Sequence, residues 1–257
     1  MTNLVIVCWY LFVIWSLIFM KNGFVAEISF TFNIFAFLKT MSKFSHIIFD
    51  VDGTLTDNTL GIGNSLKYAL EQMQIENYSE EILGQFIGPP LQWGFKNLFG
   101  MNERNTELAV GYFREYYQEK GLVENEPYPG IYELLEELHF AGIKMFIATA
   151  KYEKFALKII EYFEFDKYII QLSGADYSGR KATKTAIIAN VLESQQLVPS
   201  NKIVMIGDTV YDIKGGKENG LSTIAVGYGF GKGNELKNTN PDFWVENVEE
   251  LYELLIN

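Results

Sequence analysis

The chain has 257 residues and a formal net charge of −11, long enough for one large domain or one domain carrying an insertion. That acidity argues against general nucleic-acid binding, which needs Lys and Arg to displace counterions, but not against a small anionic substrate. The only cysteine is Cys8 and the only histidines are His46 and His139, which speaks against a disulfide framework and a multi-histidine zinc site.

Residues 1–40 are a different kind of sequence from the rest. Leu4 to Met20 is almost wholly apolar. A helix of that length reaches about 26 Å, just short of the ~30 Å hydrocarbon core. No basic residue precedes it, so the n-region of a secretory signal is missing, while Lys21, Lys39 and Lys43 all follow. Were it inserted, the positive-inside rule would keep the remainder in the cytoplasm. Met41-Ser42-Lys43 is also a natural start for a compact soluble enzyme. Two readings therefore stand: a membrane anchor confined to residues 4–20, or a translated upstream extension.

The run Phe44 to Phe49 predicts a buried strand that breaks into Asp50-Val51-Asp52-Gly53-Thr54. Two carboxylates at the end of a buried strand need neutralising, and Mg²⁺ with a substrate phosphate is an economical answer. The competing reading is ordinary: Asp and Gly are common turn and cap residues. A calcium loop fails on spacing. Counted from Asp50, Leu55 and Gly61 stand where Gly and Glu are needed.

From Asn64 to Gln118 the pattern is helical and lacks a convincing strand. Leu66, Ala69, Leu70 and Met73 recur at helical spacing, as do Leu91, Phe95 and Leu98, and then Leu108, Tyr112 and Tyr116. These stripes predict core faces of a small helical bundle. Gly88-Pro89-Pro90 interrupts the series before a helix start.

After Pro129-Gly130, helices and strands alternate. Helices are expected over Ile131 to Ala141, Glu153 to Phe163, Thr183 to Leu192 and Val210 to Asn219. Strands are expected over Lys144 to Ala148, Tyr168 to Leu172, Lys202 to Ile206 and Ser222 to Val226, with a short strand and a helix within Asp242 to Ile256. Such alternation predicts an α/β fold, a Rossmann-like doubly wound parallel sheet covered on both faces. Ligands of such sheets bind beyond the carboxyl ends of the strands, at a switch in strand order.

Polar residues gather at those ends. Thr149 follows a strand and precedes Ala150 and Lys151. Lys184 opens a helix after Gly179-Arg180-Lys181. Gly207-Asp208-Thr209-Val210-Tyr211-Asp212 repeats the opening pattern of apolar strand, glycine and carboxylates. Each has an ordinary alternative taken singly: Thr149 as a helix cap, Lys184 as a solvated side chain, Asp212 as a helix N-terminal acid. The ordered set of two acids, a hydroxyl, a lysine and two more acids is far less expected by chance.

In that set the chain resembles the haloacid dehalogenase superfamily of phosphohydrolases, over about Met41 to Asn257. The resemblance implies a nucleophilic aspartate at Asp50 and an acid–base aspartate at Asp52. It implies a phosphate-binding hydroxyl at Thr149 with the neighbouring Ala150 backbone, a phosphate-binding lysine at Lys184, and an acidic pair at Asp208 and Asp212. Mg²⁺ would be held by Asp50, Asp208 and the backbone carbonyl of Asp52, with Asp212 acting through bound water. It also implies a core over 41–57 and 129–257, with a helical cap inserted over 58–128. Phe86-Ile87-Gly88-Pro89-Pro90-Leu91, Ile147-Ala148-Thr149-Ala150-Lys151 and Gly227-Tyr228-Gly229 look most like the phosphoglycolate phosphatase-like and 5′-nucleotidase-like branch. Ala150 departs from it, standing where that branch more often has serine.

The expected function is a Mg²⁺-dependent phosphomonoesterase acting on phosphoglycolate or a nucleoside 5′-monophosphate through an aspartyl-phosphate. Two alternatives are a β-phosphoglucomutase-like transfer and a non-catalytic, membrane-tethered binder on the same fold. Asp52 opposes the binder, which has no need of a leaving-group acid. The run Gly227-Tyr228-Gly229-Phe230-Gly231-Lys232-Gly233-Asn234 fits neither the dinucleotide fingerprint nor the P-loop, and reads as a flexible loop beside the site.

Overall fold

A computed structural model describes residues 43–87, 89–177, 183–231 and 233–256. Residues 1–40, Gly88, the Gly179-Arg180-Lys181 run and Lys232 lie outside them. Six parallel strands form the central sheet in the order β5-β4-β1-β6-β7-β8. They are β1 (His46–Phe49), β4 (Lys144–Tyr152), β5 (Ile169–Ala175), β6 (Ile203–Gly207), β7 (Ser222–Val226) and β8 (Phe243–Val245). The chain builds outward from β1 to β4 and β5, then returns to β6 on the other side of β1. The switch in strand order therefore falls at β1, the strand that ends at Asp50.

Why β1 is central follows from its side chains. Ile47 and Phe49 enter one core and Ile48 the other, all fully buried. A strand apolar on both faces needs helices on both, which a parallel sheet with helical crossovers supplies. On one face, α7 (Lys184–Ser194) contributes Ile187, Ile188, Val191 and Leu192 to pack with Ile48, Phe146, Ile203 and Met205. The other face is covered by α5 (Ile131–Phe140), α6 (Glu153–Tyr162) and α10 (Val248–Ile256). Between α7 and α10 run α8 (Val210–Glu218) and α9 (Gly233–Lys237). Gly216 lets α8 lie close to the sheet, since a Cβ there would sit 2.8 Å from Thr223 and 2.9 Å from Met205.

Between β1 and α5 the chain leaves and re-enters through a two-residue antiparallel ribbon. β2 (Thr56–Asp57) pairs with β3 (Glu126–Pro127), Thr56 against Pro127. The stretch between them carries α1 (Thr59–Gln72), α2 (Glu80–Gly84), α3 (Leu91–Leu98) and α4 (Glu103–Tyr116), then a π-helical turn at Tyr117–Gly121. Gly61 lets α1 touch that turn, because a Cβ there would overlap the Gly121 carbonyl.

Several boundaries differ from the sequence expectation. β4 runs past Ala148 to Tyr152, because two extra residues of β4 are accommodated between Ala148, paired with Ser173, and Tyr152, paired with Ala175. This irregularity re-aims Thr149 and Lys151 at the carboxyl edge. The stripe Leu108, Tyr112, Tyr116 is not the core face of α4. The buried face is Ala109, Val110 and Phe113, continuing to Tyr117, while Leu108 is 46% exposed. The aromatics near Tyr116 gave two overlapping periods, and only packing on α1 selects between them. Among the described residues no helix is long and apolar enough to cross a membrane.

The packing of β1 sets a clear expectation. Phe49→Ala should lower unfolding free energy by about 3–5 kcal/mol, whereas Ile48→Val should cost about 0.5–1.5 kcal/mol, both read by urea denaturation.

Candidate active site

The ladder of β1 extends one residue beyond the strand: the Asp50 N–H donates to the Ile206 carbonyl at 2.9 Å. The chain then turns tightly around the Val51 carbonyl, which accepts from the N–H groups of Thr54, Leu55 and Thr56. Gly53 has φ +81°, and a Cβ there would overlap Asp208 Oδ2 and lie 2.8 Å from the Phe230 ring. Glycine is required both by the backbone and by the close approach. The turn leaves Asp50 6% exposed and directs Asp52 to the side of Thr149 and Lys151.

Lys184 is the first residue of α7, whose cap is the Thr183 hydroxyl, accepting from the Ala186 N–H. Its ammonium donates to the Ala148 carbonyl at 3.0 Å and pairs with Asp50 Oδ1 at 2.9 Å and Asp212 Oδ1 at 2.7 Å. An ammonium has three donors, and all three are engaged. Asp212 is fixed from its other oxygen, since Oδ2 accepts from the Thr209 N–H and hydroxyl at the start of α8. Asp208 Oδ2 accepts from the Phe230 N–H at 2.8 Å, and its Oδ1 faces the Thr54 hydroxyl at 3.4 Å.

Asp50, Asp208 and Asp212 are buried and offer carboxylate oxygens all within 4.8 Å of one another. Burial pushes the Asp50 carboxyl up to about 6 against the pull of Lys184, with Asp212 and Asp52 adding to the rise. Burial, then the charges of Asp212 and Asp50, lift Asp208 well above the usual carboxylate range. Burial opposes the charge of Lys184, but Asp212 and Asp50 overcome it and hold the ammonium above its ordinary value.

Among the described residues, and counting Asp52, four carboxylates face two ammonium groups, Lys184 and Lys151. Two negative charges are left over at a buried site, a cost that a divalent cation removes. The fit is supported by the donor set, which is all oxygen, and by the buried Asp52 Oδ1, which has no hydrogen-bond partner among the described residues. Oxygen donors suit a hard cation such as Mg²⁺.

Every residue singled out from the sequence lies at this one edge: Asp50, Asp52, Thr149 with Ala150, Lys184, Asp208 and Asp212. Thr149 is 1% exposed, and its hydroxyl accepts from the Lys151 N–H at 3.2 Å. The Gly-rich loop lies beside the site, as expected, and is tied to it. Phe230 binds Asp208, the Tyr228 hydroxyl donates to the Thr54 carbonyl at 3.0 Å, and a Cβ at Gly229 would overlap Asp208. Its glycines serve close approach to Asp208, which a test against nucleotide-binding patterns cannot reveal. The sequence pattern assigns Lys151 no role beside Thr149, yet its ammonium pairs with Asp52 Oδ2 at 2.7 Å. Asn58 and Tyr117 are also buried nearby, and no motif announced them.

The model of the haloacid dehalogenase-like hydrolases matches residues 47–226. A 5′-nucleotidase from Pseudomonas aeruginosa is 36% identical over 213 residues, 83% of this chain and 96% of that protein. A phosphoglycolate phosphatase from Vibrio parahaemolyticus is 28% identical over 224 residues, 84% of this chain and 98% of its own. The solved structure of a haloacid dehalogenase-like hydrolase from Streptococcus pneumoniae superposes with a TM-score of 0.75 at 30% identity, covering 82% of this chain and 98% of that one.

Two glycines in different settings should respond oppositely. Gly53→Ala should destabilise by more than about 1–2 kcal/mol, the left-handed penalty alone, because overlap with Asp208 adds to it. Gly63→Ala, in α1 with open space around it, should stabilise by about 0.5–1 kcal/mol. Thermal unfolding of the two variants checks both signs.

Proposed function

The chain belongs to the haloacid dehalogenase-like hydrolases and is a phosphatase acting on phosphoesters; from that premise we propose a Mg²⁺-dependent phosphomonoesterase of a small metabolite working through an aspartyl-phosphate. The observation that carries it is Asp50 held by Lys184 beside Asp208 and Asp212, with Asp52 two residues away on a separate partner. Two neighbouring carboxylates with different partners suit different tasks.

Asp50 is the nucleophile in this reading. One of its oxygens bonds to phosphorus while the bond from phosphorus to the alcohol breaks, its electron pair passing to the leaving oxygen. Asp52 gives that oxygen a proton. It then takes a proton from the water that attacks the phosphoenzyme, releasing inorganic phosphate and restoring Asp50. Thr149, the Ala150 backbone N–H and Lys184 face the phosphoryl oxygens, where charge gathers. Lys184 also steadies Asp50 by pairing with it and Asp212. Asp50, Asp208, Asp212 and the Asp52 backbone carbonyl would hold Mg²⁺, which when bound offsets charge between an anionic nucleophile and an anionic phosphate.

Residues 58–128 act as a cap over a core of 41–57 and 129–257 in this reading. The β2–β3 ribbon supports it, since both crossings between the two parts pass through Thr56–Asp57 and Glu126–Pro127. Phosphoglycolate and nucleoside 5′-monophosphates are the proposed substrates, in line with the names of the two relatives.

Phosphate release over a panel of sugar phosphates, nucleotides and phosphoglycolate tests the reading. Wild type should turn over at least one ester with Mg²⁺ and none with excess EDTA, and Asp50→Asn should fall to background. Wild type and Asp50→Asn equally inert across the panel would sink it. Mg²⁺ at a hundred times its dissociation constant should add about 2.7 kcal/mol to unfolding free energy, and removing Asp208 should abolish that gain.

A further inference from the structure

The pair formed by Lys151 and Asp52 is built more elaborately than a surface ion pair. Lys151 Nζ lies 2.7 Å from Asp52 Oδ2, and the two side chains are 9% and 23% exposed. The ammonium sits 4.5 Å from the centre of the Tyr117 ring, within reach of a cation–π interaction. Its backbone N–H is tied to Thr149 Oγ1, and the β4 irregularity turns both residues toward the edge. Tyr117 comes from the π-helical turn, a distortion often found at functional sites. Its ring stacks on Phe113 at 5.6 Å and packs on Phe155 at 5.4 Å, so the face it presents to Lys151 is held on both sides.

The consequence for Asp52 is asymmetric. Oδ2 is occupied by Lys151, whereas Oδ1 is buried and, among the described residues, without a hydrogen-bond partner. A buried carboxylate oxygen left unsatisfied is costly, and this one lies on the carboxylate proposed to exchange a proton with the leaving alcohol. Asp52 is otherwise poorly anchored, since the turn carrying it is tied through the carbonyl of Val51 and the N–H of Gly53 rather than through its own side chain.

We propose that Lys151 is a positioning residue for the reaction, clamping Asp52 through Oδ2 so that Oδ1 points at the leaving-group oxygen, with the Tyr117 ring holding Lys151 in place. The inference rests on Asp52 being the acid and base, and it names a residue that this role needs. Proton delivery from Oδ1 matters when the departing oxygen is an alkoxide, and little when it is a stabilised aryl oxide. Loss of the clamp therefore selects between leaving groups, which loss of an anion-binding lysine does not.

The test compares kcat/KM for an alkyl phosphate ester and for p-nitrophenyl phosphate, since kcat/KM reports the steps through departure of the alcohol. Lys151→Met in the full chain should lower the alkyl value by about 10²-fold, the usual cost of a misplaced group, and change the aryl value by no more than about threefold. Asp52→Asn should show the same selectivity, at least as strongly. Parallel losses on both esters in Lys151→Met would overturn the inference by making Lys151 a substrate-binding cation, and unchanged values on both would overturn it too. If Asp52→Asn is selective and Lys151→Met is not, only the Lys151 inference fails. If Asp52→Asn is not selective, the acid–base reading fails and takes the inference with it. Should Lys151→Met not fold, Lys151→Gln carries the same comparison.

Discussion

The structure depends on burying three carboxylates at the carboxyl edge of a parallel sheet. Asp50, Asp208 and Asp212 stand within a few ångströms of one another, with Lys184 bridging Asp50 and Asp212. An isolated buried carboxylate is expensive, and removing one partner of a buried pair is worse than never having built it. Much of the local architecture offsets that cost. Gly207 and Gly53 let backbone and carboxylates approach, Thr209 ties down Asp212, and the glycine-rich loop brings a backbone N–H to Asp208. Stability is given up at this edge in exchange for a site suited, in the proposed reading, to a cation and a phosphate.

The two lysines divide that edge. Lys184 bridges Asp50 and Asp212 from the start of a helix on the core, on the proposed metal side. Lys151 is paired with Asp52 and backed by Tyr117 from the inserted helical stretch, on the proposed leaving-group side. The two aspartates that look alike in Asp50-Val51-Asp52 thus have different neighbours. The difference arises because side chains two residues apart leave a strand end through a turn, not along a regular strand.

That division bears on how the insertion serves the phosphatase. Its helices pack among themselves, α1 on α4 and Gly61 on the Gly121 turn, and the β2–β3 ribbon joins them to the core. The π-helical turn delivers an aromatic face to a lysine of the core sheet. A side chain from the insertion thereby acts on Asp52 through one intermediate.

Much of this was legible in the sequence. Runs such as Ile203 to Ile206 and Ser222 to Val226, apolar on both faces, can be satisfied only inside a covered parallel sheet, and acids that follow such runs fall at its carboxyl edge. That logic located Asp50, Asp52, Thr149, Lys184, Asp208 and Asp212 without coordinates. The face of α4, the course of β4 beyond Ala148 and the partners of Lys151 and Phe230 were not legible, because they join residues from 22 to 99 positions apart. Periodicity reports which side chains share a face of one element; it carries no information about what that face meets. The sequence by itself determined the fold class and the chemical types at the edge, since burial and strand period are local constraints. Only the tertiary structure decided which carboxylate each cation serves, because that depends on the packing of distant segments.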